Sequence, residues 1–264
     1  MRFIEGVPSQ KDEPSHAPGV IASTGSHRVR KIRACLTITA MPTPLSSIER
    51  ETAPNPRHAV IWLHGLGADG NDFVPILPQL VQPEWPPLRF VFPNAPVRPV
   101  SLNGGLPMRA WYDIAGFDLS QKQDEAGVRA SIVEVGALIA REVERGVPES
   151  HIVLTGFSQG GAIALAAGLR HAKKLAGIVA LSTYLPIAEV TRAECSSANA
   201  ATPIFMGHGA FDPVVPQYLG ERSRDSLREW GYAVDWHSYP MAHQVCPPEI
   251  ADLGAWLAAR LGRG

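Results

Sequence analysis

His151-Ile152-Val153-Leu154-Thr155-Gly156-Phe157-Ser158-Gln159-Gly160-Gly161-Ala162-Ile163-Ala164-Leu165-Ala166 is the stretch whose reading decides the rest. The apolar run opening at Ile152 predicts a buried strand. Gly156-Phe157-Ser158-Gln159-Gly160 fits G-x-S-x-G, and the alanine-rich run after it predicts a helix that follows without a linker. A serine on so tight a strand-to-helix turn projects its hydroxyl above the sheet. A side chain at either flanking glycine would collide with neighbouring backbone. The helix N-terminus then points at the turn, so the Gln159 amide and the helix dipole both favour negative charge beside Ser158. A bare G-x-S-x-G also arises by chance, and small residues also serve close helix packing. Strand, turn and helix together make Ser158 a candidate nucleophile.

Outward from that unit, apolar runs and amphipathic segments alternate. Buried strands are expected at Ala59 to Leu63, Leu88 to Pro93, Gly177 to Ser182, Pro203 to Gly209 and Ala233 to Tyr239. A helix is expected from Asn71 or Asp72, with Phe73, Ile76, Leu77 and Leu80 on its apolar face. Another starts behind Asp124, carries Val128, Ile132, Val135, Leu138, Ile139 and Val143, and ends at Gly146 and Pro148. Further helices open at Pro216 and at Pro247-Pro248. This alternation predicts an α/β domain over residues 41–264, with a doubly wound, mainly parallel sheet flanked by helices. In such a sheet, ligands bind at the carboxyl ends of the strands. The segment Asn94 to Gln123 reads as one long irregular loop, a length that usually carries function. Residues 1–40 show no periodicity and read as a disordered N-terminal extension, with Met41 placed like a natural start.

Composition narrows the function classes. The 264 residues carry 24 Lys and Arg against 25 Asp and Glu, a net charge of −1, so nucleic acid is not an expected partner. No stretch is long enough for stable insertion in a membrane. The three cysteines, Cys35, Cys195 and Cys246, form no C-x-x-C pair. They point to a reducing, cytoplasmic setting and to no zinc site.

A serine hydroxyl is a poor nucleophile at neutral pH; it needs a histidine base, and the base needs an acid that holds its tautomer. In a strand-turn-helix architecture of this kind the acid and then the histidine follow the serine along the chain. Of Asp212, Asp225 and Asp235, only Asp212 lies in a turn just past a strand, in His208-Gly209-Ala210-Phe211-Asp212-Pro213. Of the histidines, His171 lies at the exit of the serine helix, His237 lies within a strand, and His208 is placed to brace the acid loop. His243 occupies the loop after the last strand, where the base belongs. A second oxyanion donor is expected from the loop His64-Gly65-Leu66-Gly67, which follows the first clear strand, and the Leu66 amide is assigned to it. As a phosphate cradle that loop lacks both the P-loop lysine and the third glycine of a dinucleotide fingerprint.

Five segments jointly resemble the phospholipase/carboxylesterase family of α/β-hydrolases. They are His64 to Asp69; Asn103-Gly104-Gly105 with Met108-Arg109-Ala110-Trp111-Tyr112-Asp113; Gly156 to Gly161; His208 to Pro216; and His243 to Pro247. The resemblance runs from about Leu45 to the C-terminus. It implies a carboxylesterase that works through an acyl-serine, with Ser158, Asp212 and His243 as triad and Leu66 and Gln159 as oxyanion hole. Trp111, Val214 and Val245 are implied as substrate-binding residues. It implies no cofactor and no metal and a small-molecule ester or thioester substrate, and it is compatible with a homodimer. Acyl-protein thioesterase or lysophospholipase action is the alternative enzyme reading, and a non-catalytic binding protein on the same fold is the alternative of another class. Leu106-Pro107 departs from the family pattern. With Trp111 expected to close the acyl groove, that departure predicts a preference for short to medium acyl chains.

Overall fold

Residues 45–116 and 123–262 are described by the structure, a computed structural model. The expected extension, residues 1–40, lies outside them. In chain order the strands and helices are β1 (Ser47–Glu51), β2 (His58–Leu63), α1 (Leu77–Leu80), β3 (Leu88–Pro93), β4 (Val97–Pro99), β5 (Pro107–Arg109), α2 (Glu125–Glu144), β6 (Ile152–Phe157), α3 (Gln159–Arg170), β7 (Gly177–Leu181), α4 (Ala188–Glu194), β8 (Ile204–Gly209), α5 (Gln217–Glu229), β9 (Val234–Tyr239) and α6 (Pro247–Leu261). Seven strands form one sheet in the order β1-β3-β2-β6-β7-β8-β9, parallel throughout except for β1, which runs antiparallel to β3.

The central strands are continuously apolar because both faces of the sheet are covered. Along β2, Ala59, Ile61 and Leu63 enter the core shared with α2 and α3, while Val60 and Trp62 enter the opposite core beneath α1 and α6. Asp124 caps α2 by accepting from the Gly127 amide at 2.9 Å, and Gly146, at φ 92°, ends the helix in the left-handed region. On one edge of the sheet the cover is ionic. Arg89 of β3 donates to the fully buried Glu142 of α2 at 2.7 Å and to Glu51 of β1 at 2.9 Å.

Two readings change. The helix expected from Asn71 or Asp72 is a 3-10 turn, Val74–Ile76, followed by the single turn of α1. Pro75 and Pro78 fall at first-turn positions and each removes an amide donor, so the apolar spacing closes into two short turns. The segment from Asn94 is not one irregular loop: β4 and β5 pair antiparallel as a hairpin, with Pro99 opposite Pro107. A two-stranded ribbon of three-residue strands carries too little alternation to be visible in sequence. β1 and α4 were likewise unread.

Chain order places the site. From β2 the sheet grows through β3 in one direction, and from β6 it grows through β7, β8 and β9 in the other. The adjacent carboxyl ends of β2 and β6 are therefore the switch point of the fold, where a crevice opens. Ser158 follows β6 directly, and the loop His64 to Gly70 follows β2.

Candidate active site

Ser158 sits between β6 and α3 at φ 54°, ψ −122°, a conformation that costs a non-glycine residue about 1–3 kcal/mol. Its neighbours hold it there. The Ser158 amide donates to Leu181 O at 2.8 Å, and the Ser158 carbonyl accepts from Thr183 Oγ1 at 2.6 Å and from the Ala162 amide at 3.1 Å. The turn is closed so tightly that a Cβ on Gly156 would meet the Gly160 carbonyl, and one on Gly160 would meet the carbonyls of Leu63 and His64. Although Ser158 is the N-cap residue of α3, its hydroxyl makes no capping bond, which leaves Oγ available for chemistry.

Asp212 and His243 arrive from the ends of β8 and β9 on loops joined by backbone bonds. The Ala210 amide donates to Tyr239 O at 2.8 Å and the Phe211 amide to Met241 O at 3.1 Å. Gly209 permits the approach, since a Cβ there would strike the carbonyls of Met241 and Ala242. Asp212 Oδ1 accepts from the Val214 and Val215 amides, each at 2.8 Å, and Oδ2 accepts from His243 Nδ1 at 2.6 Å. The Asp212 side chain is fully buried and that of His243 is 16% exposed. A carboxylate only accepts, so Nδ1 is the donor to Asp212, which leaves Nε2 as the nitrogen that can serve as base. Among the described residues no hydrogen bond joins His243 to Ser158. The two side chains line the same cavity, and such bonds tighten when substrate is bound.

The other titratable candidates are used elsewhere. His208 Nε2 donates to Val215 O at 2.8 Å, which braces the acid loop, and burial lowers its pKa so that the ring is neutral. His237 lies 3.0 Å from Asp235 and stacks on Phe205; Asp225 pairs with Arg224 in the exposed part of α5. His171 is the C-cap residue of α3.

Leu66 and Gln159 both line the cavity that holds Ser158. Among the described residues neither the Leu66 nor the Gln159 N–H donates to any protein group. The loop carrying Leu66 is held by a bond from the Gly67 amide to Arg109 O at 2.9 Å and by His64, whose Nε2 accepts from the Ala95 amide at 3.1 Å while Nδ1–H donates to Gly65 O at 2.7 Å. That tautomer requires a neutral imidazole, and burial is the main force lowering the His64 pKa.

The cavity above Ser158 has a volume of about 250 Å³, and its walls include Leu66, Leu102, Tyr112, Ile114, Tyr184 and Val214. Of the three substrate-binding residues read from sequence, only Val214 lies on it. Trp111 is not on the cavity but is fully buried: its amide donates to Gln159 Oε1 at 2.8 Å, its indole N–H to His64 O at 2.9 Å, and its carbonyl accepts from Ser131 Oγ. Every polar group of Trp111 is spent joining the loop that carries Leu66, α3 and α2, so it braces the site from behind. Val245 packs instead into the core beneath α6. Sequence reasoning missed the Gln159 side chain, which also donates to Tyr112 O at 2.8 Å, and missed Thr183 and Tyr184, although both lie just past the carboxyl end of β7.

The seven-stranded sheet and the strained turn after β6 define the chain as an α/β-hydrolase. The sequence profile of the phospholipase/carboxylesterase family matches residues 46–261, and the chain belongs to that family of hydrolases. It is 40% identical over 240 residues to acyl-protein thioesterase 1 of Cryptococcus neoformans, covering 84% of this chain and 100% of the relative. Among solved structures, acyl-protein thioesterase 2 of Zea mays superposes with a TM-score of 0.72 at 31% identity, covering 82% of this chain and 100% of that one. Esterase PE8 superposes with a TM-score of 0.71 at 28% identity, covering 83% and 100%. No helix among the described residues is long and apolar enough to cross a membrane.

Proposed function

We propose that the protein is a serine carboxylesterase that hydrolyses esters of small to medium acyl groups through an acyl-serine intermediate. Ser158 Oγ attacks the acyl carbon while His243 Nε2 takes its proton. Asp212 holds the histidine and stabilises the imidazolium, and the Leu66 and Gln159 amides receive the oxyanion. The observation that carries this reading is the 2.6 Å bond from His243 Nδ1 to a buried carboxylate, on the same cavity as a serine held in a strained turn. The cavity, at about 250 Å³, lies just below the range that encloses drug-sized ligands, which favours short acyl chains over long lipids. Chain length therefore rests on the cavity and no longer on Trp111 or Pro107. The free thiols Cys195 and Cys246 accord with a cytoplasmic enzyme.

The names of the relatives favour a second reading, acyl-protein thioesterase activity. Both readings predict labelling by an organophosphonate ester that is lost in Ser158→Ala; an unlabelled native protein would leave only a binding role. The two are separated by kcat/KM along p-nitrophenyl acetate, butyrate, octanoate and palmitate, alongside the matching acyl thioesters. An optimum at butyrate or octanoate on oxygen esters is expected. A palmitate optimum, or thioesters preferred at every length, would overturn the carboxylesterase reading.

A further inference from the structure

Two phenols meet on the closed side of the cavity. Tyr112 and Tyr184 both line it, both are almost fully buried at 2% and 3% exposed, and their hydroxyl oxygens lie 2.8 Å apart. Their positions are tied to the catalytic turn. The residue before Tyr112 donates its amide to Gln159, and the residue before Tyr184 donates its hydroxyl to the Ser158 carbonyl. Each hydroxyl carries one donor and can accept twice. Their mutual bond consumes one donor, and among the described residues neither hydroxyl bonds to any other group. The second O–H has no acceptor among the described residues, and both tyrosines line a cavity that Leu66, Ile114, Val215 and Phe157 share with Ser158, Gln159 and His243. Burial pushes both phenols up from their ordinary pKa, so both remain protonated donors.

An unsatisfied donor in an apolar, buried place is costly, and a ligand that supplies an acceptor there removes that cost. The acyl group is the part of an ester that stays in the closed end after the alcohol leaves. The open end is formed by the exposed Leu102 and Val214. We infer that the Tyr112–Tyr184 hydroxyl pair recognises an oxygen atom within the acyl chain, so that oxygen-bearing acyl groups are hydrolysed in preference to hydrocarbon chains of equal length. This rests on the esterase reading and deepens it by naming the substrate class.

The test replaces one methylene by an ether oxygen without changing length. The isosteric p-nitrophenyl pairs are butyrate and methoxyacetate, pentanoate and 3-methoxypropanoate, and hexanoate and 4-methoxybutanoate. Each kcat/KM is divided by the hydroxide-catalysed rate of the same ester, to remove intrinsic reactivity. One pair should favour the oxygen member by about fivefold, the size of one buried hydrogen bond. The ratio should fall to about one in the double variant Tyr112→Phe/Tyr184→Phe, whose rings keep the packing, because either single variant leaves the other hydroxyl free to donate. Serine-dependent hydrolysis with no preference in any pair would overturn the inference alone, as would a preference that survives in the double variant. Absence of hydrolysis across all six esters would overturn the esterase reading and the inference with it.

Discussion

Replacing Asp212 by asparagine tests the arrangement at its most constrained point. Oδ1 is pinned by two backbone donors, the Val214 and Val215 amides at 2.8 Å each, whereas Oδ2 has one hydrogen-bond donor among the described residues, His243 Nδ1 at 2.6 Å, with His208 Nε2 farther off at 3.7 Å. An asparagine has one oxygen to offer. Turned the other way, it would set its NH₂ against two N–H groups and leave both without an acceptor, at about 1–3 kcal/mol for each one buried. The amide oxygen must therefore take the Oδ1 place, and the NH₂ must face the imidazole. A donor there can bond only to an unprotonated Nδ1, which moves the ring proton to Nε2 and removes the base that Ser158 needs. The expected loss in kcat is about 10⁴-fold, equivalent to about 5.5 kcal/mol at the transition state. The fold should barely register the change because both backbone donors remain satisfied. Asp212→Ala, in contrast, leaves the buried Val215 amide unpaired and should lower the melting temperature by about 2–4 °C per kcal/mol lost. The assay is hydrolysis of p-nitrophenyl butyrate, with thermal unfolding of all three proteins in parallel. An asparagine variant within about tenfold of the native rate would show that the Nδ1 proton does not govern the reaction, and an asparagine variant as unstable as the alanine one would refute the assigned amide orientation.

Three further outcomes are expected. Trp111→Ala should cost about 3–5 kcal/mol of stability while leaving the position of the chain-length optimum unmoved, because the indole is a fully buried brace; a shifted optimum with native stability would put Trp111 back on the substrate. Glu142→Ala leaves the buried Arg89 with Glu51 as its remaining partner and should destabilise by about 1–3 kcal/mol in urea unfolding, against which a change below about 0.5 kcal/mol would count. Burial pushes the Glu249 carboxyl up to about 8, from an ordinary value of 4.5. Between those pH values the folded protein keeps a proton that the unfolded chain releases, so stability falls as pH rises, by up to about 1.4 kcal/mol per unit. Glu249→Gln should flatten that slope and gain on the native protein from pH 5 to pH 8, and parallel urea midpoints across that range would exclude the burial effect.

What could be read from the chain alone was whatever depends on local geometry or on the order of elements. Gly156 and Gly160 had to be small because the turn brings them onto backbone, and that clash follows from the turn itself. Asp212 could be separated from Asp225 and Asp235, and His243 from His208 and His237, because parallel sheets present their working residues just past the strand ends. The hairpin of β4 and β5 was lost because three-residue strands leave no period to detect. The lining of the cavity was read only in part: Val214 lies on it, whereas Trp111 and Val245 do not. Trp111 and Tyr112 are neighbours in sequence and both aromatic, yet one braces the site from behind and the other lines the cavity above Ser158. The two residues lie in a bend after β5, and the side each takes belongs to partners remote in sequence: Gln159, His64 and Ser131 for Trp111, and Tyr184 for Tyr112. The chemistry of the site is thus written in strand ends and turns, whereas its selectivity is set by contacts that exist only once the sheet has brought those ends together.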